Sequence, residues 1–123
     1  MNTFKYINGN LHCEEVDLSL IGERYATPSY VYSKKIIEEN AKAYVNSFTN
    51  TRNLACFAVK SLSNLSILKI IKDAGCGFDI VSGGELHRVL SIGADPKKVI
   101  FSGVGKTKGE IRMQFKDSIK NVA

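Results

Sequence analysis

The 123-residue sequence has no tryptophan, only two prolines and only three cysteines. Cys13, Cys56 and Cys76 are odd in number and lack Cys-x-x-Cys spacing, so neither a disulfide framework nor a zinc site is indicated. We expect reduced, mostly buried thiols. No apolar run approaches the roughly 20 residues that cross a bilayer, and the first residues lack the order of a signal peptide. These absences predict a cytoplasmic location and no membrane partner.

The excess of one charge sign is also small. The chain carries 17 Lys and Arg against 12 Asp and Glu, a formal charge of +5, and the basic residues are scattered among acids rather than clustered. We therefore expect no nucleic-acid partner. His12 and His87 lie far apart without ligand spacing, so we expect no metal site. With 44% hydrophobic and 24% charged residues, the composition is that of a globular protein, not of a disordered one.

The sequence pattern changes near the Thr27-Pro28 break. Residues 1–26 are mixed, with one possible strand around residues 11–16, and we interpret them as a lead-in segment. Residues 27–123 form the second unit, in which short apolar runs alternate with helical periods about 20–25 residues apart, as expected of βα units. The predicted strands lie at residues 29–32, 54–59, 78–81 and 99–101.

Each predicted strand is followed by an amphipathic helix. Ser33 is placed to cap the first helix, whose apolar face comprises Ile37, Ala41, Tyr44, Val45 and Phe48. Gly75 and Gly93 are placed to end the next two helices. Thr107 and Glu110 have the spacing of a capping box that begins the fourth.

Short apolar strands joined by helices predict an α/β fold with a parallel sheet. Two arrangements fit the pattern: an open doubly wound sheet, complete in this chain, or half of a closed (β/α)₈ barrel. A whole barrel needs about 250 residues. Four predicted βα units that end in a helix favour the N-terminal half of a TIM-type barrel.

Lys60 stands at the end of the second predicted strand. Along residues 54–60 the side chains alternate between faces, so we expect Leu54, Cys56, Ala58 and Lys60 to share one face. The carboxyl edge of such a sheet is where ligands bind, and a lysine there is suited to form a Schiff base. The alternative is a lysine that leaves the strand into solvent.

Asp79 lies inside the apolar run at residues 78–81, where a carboxylate needs a partner. The candidates are Lys60 on the neighbouring strand and a base on a strand outside this chain, and capping by local amides is the alternative. Ser82-Gly83-Gly84-Glu85 opens the third helix, where exposed N–H groups favour negative charge and where Glu85 is also able to satisfy the helix end. The glycine-rich segment at residues 102–107 is not a P-loop, because the motif requires a glycine where Ile100 stands.

Four motifs carry a resemblance to a known family. They are Thr-Pro-Ser-Tyr-Val-Tyr at 27–32, Phe-Ala-Val-Lys at 57–60, Gly-Phe-Asp-Ile-Val-Ser-Gly-Gly-Glu-Leu at 77–86 and Phe-Ser-Gly-Val-Gly-Lys-Thr at 101–107. The sequence resembles the N-terminal part of the diaminopimelate decarboxylases, pyridoxal-phosphate enzymes with an alanine-racemase-like barrel. The last two motifs favour this family over the ornithine and arginine decarboxylases.

The resemblance implies roles for particular residues. Lys60 matches the lysine that binds pyridoxal 5'-phosphate covalently, Asp79 and Glu85 match acids beside the cofactor, and Ala58 matches a residue that lines its floor. The implied reaction is decarboxylation of meso-2,6-diaminopimelate to L-lysine and CO₂ in lysine biosynthesis, by a homodimer. Ser61-Leu62 departs from the small residue and asparagine that usually follow this lysine.

The resemblance also implies that the chain is an N-terminal fragment, inactive alone, whose residues 1–26 belong with a C-terminal β domain. Two alternatives remain. One is a related ornithine or arginine decarboxylase or an amino-acid racemase of the same fold. The other is a non-catalytic half-barrel that binds pyridoxal phosphate.

Overall fold

The computed structural model describes residues 3–47, 50–116 and 121–122, with the backbone alone at 113–116 and 121–122. Its strands are β1 (Phe4–Ile7), β2 (Asn10–Cys13), β3 (Val16–Asp17), β4 (Cys56–Ala58), β5 (Gly77–Ile80), β6 (Val99–Phe101) and β7 (Asn121–Val122). Its α-helices are α1 (Leu18–Tyr25), α2 (Lys34–Asn46), α3 (Leu65–Asp73), α4 (Gly83–Ser91) and α5 (Lys108–Lys116). None of these helices is long and apolar enough to cross a membrane.

The first three strands form an antiparallel sheet in the order β1-β2-β3. Asn8 and Gly9 join β1 to β2 with φ angles of 51° and 87°, as a two-residue hairpin turn requires. Asp17 then begins α1, because its Oδ1 accepts the N–H of Ser19 at 2.9 Å. The lead-in segment is therefore an ordered sheet and helix, of which the sequence indicated a single strand.

Helix α2 begins where the sequence predicts. The Ser33 hydroxyl oxygen accepts the N–H of Ile36 at 3.1 Å. Ile37, Ala41 and Val45 pack against the hydrophobic core. Tyr44 lies on the same face and lines an apolar groove between α2 and β4 together with Ile37 and Ala41, but 71% of the residue is exposed. Phe48, predicted on the same face, lies outside the described residues.

The second sheet is parallel, with the order β4-β5-β6-β7. Each strand pairs with the next one along the chain, so the order shows no reversal of the kind that marks a doubly wound sheet. Sequential parallel strands with intervening helices are the arrangement of a (β/α)₈ barrel. The α/β class and the half-barrel arrangement are thus confirmed, and the doubly wound alternative is not.

The observed strands differ from the predicted ones in two places, the first predicted strand and the last observed strand. Residues 29–32 form no strand ladder; Tyr30 and Tyr32 are exposed there, and their ring centroids lie 6.5 Å apart in a stacked arrangement. The fourth strand is instead β7, which follows α5 and pairs with β6. A β pattern alone does not supply the neighbouring strand that a ladder requires.

Helices α3 and α4 cover one face of the parallel sheet. Alternate strand residues point into this layer and are completely or almost completely buried, namely Phe78, Ile80, Val99 and Phe101. They pack on apolar residues of the helices that include Leu68, Ile71, Leu86 and Val89. Gly75 and Gly93 follow the two helices with φ angles of 102° and 73°, which confirms them as the predicted ends.

Candidate functional site

The carboxyl ends of β4, β5 and β6 lie at one edge of the parallel sheet, because parallel strands all end in the same direction. A single 3₁₀ turn, Val59–Ser61, follows β4. Residues 81–82 connect β5 to α4, and residues 102–107 connect β6 to α5. These three connections carry the motifs singled out in the sequence, so they define the candidate site.

Lys60 lies within the 3₁₀ turn and not on the strand. The strand ends at Ala58, so the predicted alternation that placed Lys60 on the face of Cys56 and Ala58 does not reach it. Val59 is completely buried, and the Ser61 hydroxyl donates to the Ala58 carbonyl at 2.7 Å. The turn is therefore anchored on both sides of Lys60, whose side chain is exposed.

Asp79 finds its partner in the next connection along the chain. In the sheet register it lies between Ala58 of β4 and Ile100 of β6, and all three are half-buried. The Ser102 hydroxyl donates a short hydrogen bond to Asp79 Oδ1. Among the described ion pairs none joins Asp79 to Lys60, so the partner suggested by the sequence is not the one the structure shows.

Glu85 closes the start of its own helix. Its Oε2 accepts the N–H of Val81 at 2.8 Å, while the Ser82 hydroxyl accepts the N–H of Glu85 at 3.2 Å. This is a variant of the capping box in which the glutamate reaches one residue further back. The local role considered for Glu85 is therefore present.

A second carboxylate also reaches this helix. Glu110 of α5 accepts the N–H of Gly83 at 2.8 Å through Oε1. Its Oε2 accepts the N–H and the hydroxyl of Thr107, at 2.8 and 2.9 Å. These hydrogen bonds lower the pKa of Glu110, those from the Thr107 and Gly83 N–H groups most strongly. Two protein carboxylates therefore lie at the N-terminus of α4, the positive end of the helix dipole.

The cysteines are free, as expected. Cys13 and Cys76 are buried, whereas Cys56 is half-buried. Burial raises the pKa of the Cys56 thiol, and the Asp79 carboxylate raises it further. Cys56 and Cys76 both line the apolar groove beside the lysine turn, which has a volume of about 510 Å³. Within the described residues no three His, Cys, Asp or Glu side chains gather as a metal site would require.

The sequence reasoning missed Ser102 and the longer reach of Glu110. Ser102 stands in a loop motif, and nothing local marks it as the partner of a residue 23 positions earlier. The capping box identified the contact between Glu110 and Thr107, which the structure confirms. The contact with Gly83 spans 27 positions and has no local signal.

The strand order and the carboxyl edge define a class of protein: a (β/α)-barrel-type domain with a lysine turn after one strand and a half-buried carboxylate on the next. The model of the family described as the pyridoxal binding domain of pyridoxal-dependent decarboxylases matches residues 34–123. The chain therefore belongs to the pyridoxal-dependent decarboxylases, and the cofactor of this domain is pyridoxal phosphate.

Relatives within this family carry a more specific name. The chain is 52% identical over 112 residues to a diaminopimelate decarboxylase of Pseudomonas aeruginosa, covering 91% of this chain and 27% of that protein. The crystal structure of the M. jannaschii diaminopimelate decarboxylase with L-lysine superposes with a TM-score of 0.89 at 30% identity, over 98% of this chain and 29% of that one.

A second lysine complex gives the same picture. The Helicobacter pylori diaminopimelate decarboxylase (I148L mutant) with L-lysine superposes with a TM-score of 0.82 at 35% identity, covering 86% of this chain and 27% of that chain. The resemblance inferred from the four sequence motifs is confirmed. The chain spans somewhat more than a quarter of the length of these relatives.

Proposed function

We propose that the chain is the N-terminal part of a pyridoxal-phosphate-dependent carboxy-lyase that converts meso-2,6-diaminopimelate into L-lysine and CO₂. The observation that carries this proposal is the 52% identity to a diaminopimelate decarboxylase across 91% of the chain. The solved relatives that hold L-lysine support it, because L-lysine is the product of that reaction. The enzyme would then act in lysine biosynthesis.

The carboxyl edge of the sheet fits the cofactor chemically. Lys60 offers a primary amine on an anchored turn, and no described residue forms an ion pair with it. A covalent link to a cofactor aldehyde requires an amine that is accessible in this way. We assign Lys60 as the attachment site and the catalytic lysine.

Three further residues are assigned around Lys60. Ala58 is the last residue of β4 and stands opposite Asp79 in the register, so a small side chain and a carboxylate border the same part of the edge. Glu85 contributes a carboxylate from the first turn of α4. We propose that Ala58 forms the floor of the cofactor site and that Asp79 and Glu85 lie beside the cofactor.

Bound pyridoxal phosphate supplies an electron sink for the electron pair that remains on the substrate when CO₂ departs. The described part of the chain contributes position and charge to this chemistry. The 3₁₀ turn fixes the lysine backbone through the buried Val59 and the Ser61 hydroxyl. The Ser102 hydroxyl holds Asp79 in one orientation. The start of α4 is already met by Glu85 and Glu110, so we do not place the cofactor phosphate there.

The proposal extends to the organisation of the whole protein. We propose that residues 1–26 belong with a β domain, that residues 27–123 belong to the pyridoxal-phosphate barrel, and that the enzyme is a cytoplasmic homodimer. The antiparallel sheet and the parallel sheet are consistent with this division, since no strand of one pairs with a strand of the other. The four described strands of the parallel sheet are half of the eight that a closed barrel needs.

The test compares lysine variants in the complete gene product. Lys60→Ala should abolish CO₂ release from meso-2,6-diaminopimelate and the visible absorbance of covalently bound pyridoxal phosphate. Lys69→Ala is the matched control, because Lys69 is an exposed lysine of α3 paired only with Asp73 at 3.7 Å in the described structure. It should behave like the unmutated protein.

Substrate choice separates the alternatives. CO₂ release from ornithine or arginine, but not from meso-2,6-diaminopimelate, would indicate a related decarboxylase, and racemisation without CO₂ release would indicate a racemase. Cofactor bound at Lys60 with no reaction on any of these amino acids would indicate a non-catalytic domain. Full activity of Lys60→Ala would contradict the assignment of Lys60.

A further inference from the structure

Two connections at the carboxyl edge are fastened to each other. We call residues 81–82 the β5 loop and residues 102–107 the β6 loop. The Ser102 N–H donates to the Ile80 carbonyl at 2.9 Å, and its hydroxyl donates to Asp79. Gly103 packs so closely that an added Cβ would stand 2.5 Å from the Val81 carbonyl oxygen. The start of the β6 loop therefore lies directly on the end of β5.

Glu110 fastens the far ends of the same two loops. Oε1 accepts the N–H of Gly83, the first residue of α4, and Oε2 accepts from Thr107, the last residue of the β6 loop. One side chain thus joins the beginnings of two successive helices. Gly83 permits this approach, because a Cβ at that position would stand 3.2 Å from Glu110 Cγ.

Only a carboxylate of this length makes both contacts. Glutamine has one carbonyl oxygen as an acceptor, and its NH₂ group would face an N–H donor. Aspartate keeps both oxygens but is one methylene shorter, so it is able to serve the nearby Thr107 but does not reach Gly83. Aspartate therefore loses the contact with Gly83, whereas glutamine is able to accept from only one of the two N–H groups.

We propose that Glu110 is a positioning residue for the reaction, which clamps the β5 loop to the β6 loop and thereby holds Asp79 and Glu85 at the cofactor. Glu85 is the third residue of α4, so the position of the Gly83 backbone sets the position of its carboxylate. Asp79 is held by Ser102 at the other end of the β6 loop. This inference rests on the proposed function.

The experiment uses the complete gene product with Glu110→Gln, Glu110→Asp and Glu38→Gln. Glu38 is the matched control, because its carboxylate accepts a hydrogen bond at 2.7 Å from Lys42 within one helix and joins no loops. The first measurement is amide hydrogen exchange at Gly83. The second is kcat and KM for meso-2,6-diaminopimelate, together with the visible absorbance of bound pyridoxal phosphate.

Glu110→Asp should expose the Gly83 amide to faster exchange, and both Glu110 variants should lower kcat by about 10- to 100-fold, the scale expected when reacting groups are misplaced by about 1 Å. KM and overall helix content should stay close to those of Glu38→Gln, and the cofactor absorbance should change in the Glu110 variants alone. A purely structural role would lower the melting temperature without changing the spectrum of the bound cofactor.

Two results overturn the proposal. One is unchanged exchange at Gly83 in Glu110→Asp. The other is a kcat and cofactor spectrum indistinguishable from those of Glu38→Gln. If the unmutated protein binds no pyridoxal phosphate and releases no CO₂, the proposed function fails instead, and the exchange at Gly83 still decides whether Glu110 joins the two loops.

Discussion

Ser102 donates its hydroxyl to Asp79 across two adjacent parallel strands, 23 positions apart in the sequence. The contact places a neutral donor, not a cation, against the half-buried carboxylate of β5. The register neighbours of Asp79, Ala58 and Ile100, are apolar, so the described hydrogen bond from Ser102 orients the carboxylate at the carboxyl edge.

Ser102→Ala should therefore destabilise the domain and lower activity. A half-buried acceptor that loses its donor costs about 1 kcal/mol, and a freely rotating Asp79 should reduce kcat more than it changes KM. Ser91→Ala is the control, because the Ser91 hydroxyl donates at 2.7 Å to the Arg88 carbonyl on an exposed helix surface. Urea unfolding and steady-state kinetics provide the measurements. Equal behaviour of the two variants would contradict a special role for Ser102.

The glycines of the β6 loop should differ sharply in their tolerance of alanine. Gly103→Ala would place a Cβ 2.5 Å from the Val81 carbonyl oxygen, whereas a Cβ at Gly105 would meet no described atom within 4 Å. We expect Gly103→Ala to force the two loops apart and to lower the melting temperature, and Gly105→Ala to leave it nearly unchanged. Thermal unfolding of both variants measures this, and equal melting temperatures would show that the loop relaxes freely.

Glu14 should connect the antiparallel sheet to α2. Its Oε1 accepts from the Ser33 hydroxyl at 2.7 Å and from the Lys35 N–H at 2.9 Å. Glu14→Gln keeps one acceptor but loses the charge that favours a helix N-terminus. We expect faster proteolysis of the lead-in segment. Glu15→Gln is the neighbouring control, because Glu15 is exposed and approaches Lys5 only at 3.8 Å.

The same contact predicts a pH dependence. The hydrogen bonds from Lys35 and Ser33 lower the pKa of Glu14, so its stabilising effect is complete above the ordinary glutamate value of about 4.3. It is lost as the pH falls below that value through the lowered folded-state pKa. The protection from proteolysis that Glu14 gives over Glu14→Gln should therefore shrink as the pH is lowered from 5 towards about 3. A difference that grows on acidification would contradict this account.

The core of the second unit should depend on one face of α3. Leu68 is completely buried, whereas Leu65 of the same helix is 42% exposed. Leu68→Ala should cost about 2–5 kcal/mol of unfolding free energy through lost burial and a residual cavity. Leu65→Ala should cost far less, because its side chain already contacts water. Chemical denaturation of the two variants tests this ranking. A comparable loss of unfolding free energy in both would contradict it.

Local signals in the sequence predicted the features that local physics determines. The correctly predicted helix ends are those at Ser33, Gly75, Gly93 and the pair Thr107 and Glu110. Each is determined by a conformation or hydrogen bond within a few residues of its own position. The cofactor class was predicted from motifs shared with a known family, and not from interactions between neighbouring residues. The roles of Lys60, Ala58, Asp79 and Glu85 remain predictions.

The errors fall where a partner from elsewhere decides the outcome. Residues 29–32 have strand composition but no ladder, and the strand that occupies the fourth place is Asn121–Val122. Lys60 is a local exception, because it lies in a 3₁₀ turn that begins at Val59, and the Ser61 hydroxyl of the same turn donates to the Ala58 carbonyl. Asp79 needed a partner, and a serine 23 positions later supplied it. Periodicity does not encode such pairings.

The sequential order of the parallel strands also has a consequence in time. β4 pairs with β5, β5 with β6 and β6 with β7, so every new strand docks on the one synthesised just before it. No strand of this sheet has to wait for a distant segment before it gains a neighbour. The contacts that build the carboxyl edge and its lysine turn therefore join segments that are close in the sequence, and contacts of this kind form fastest during folding.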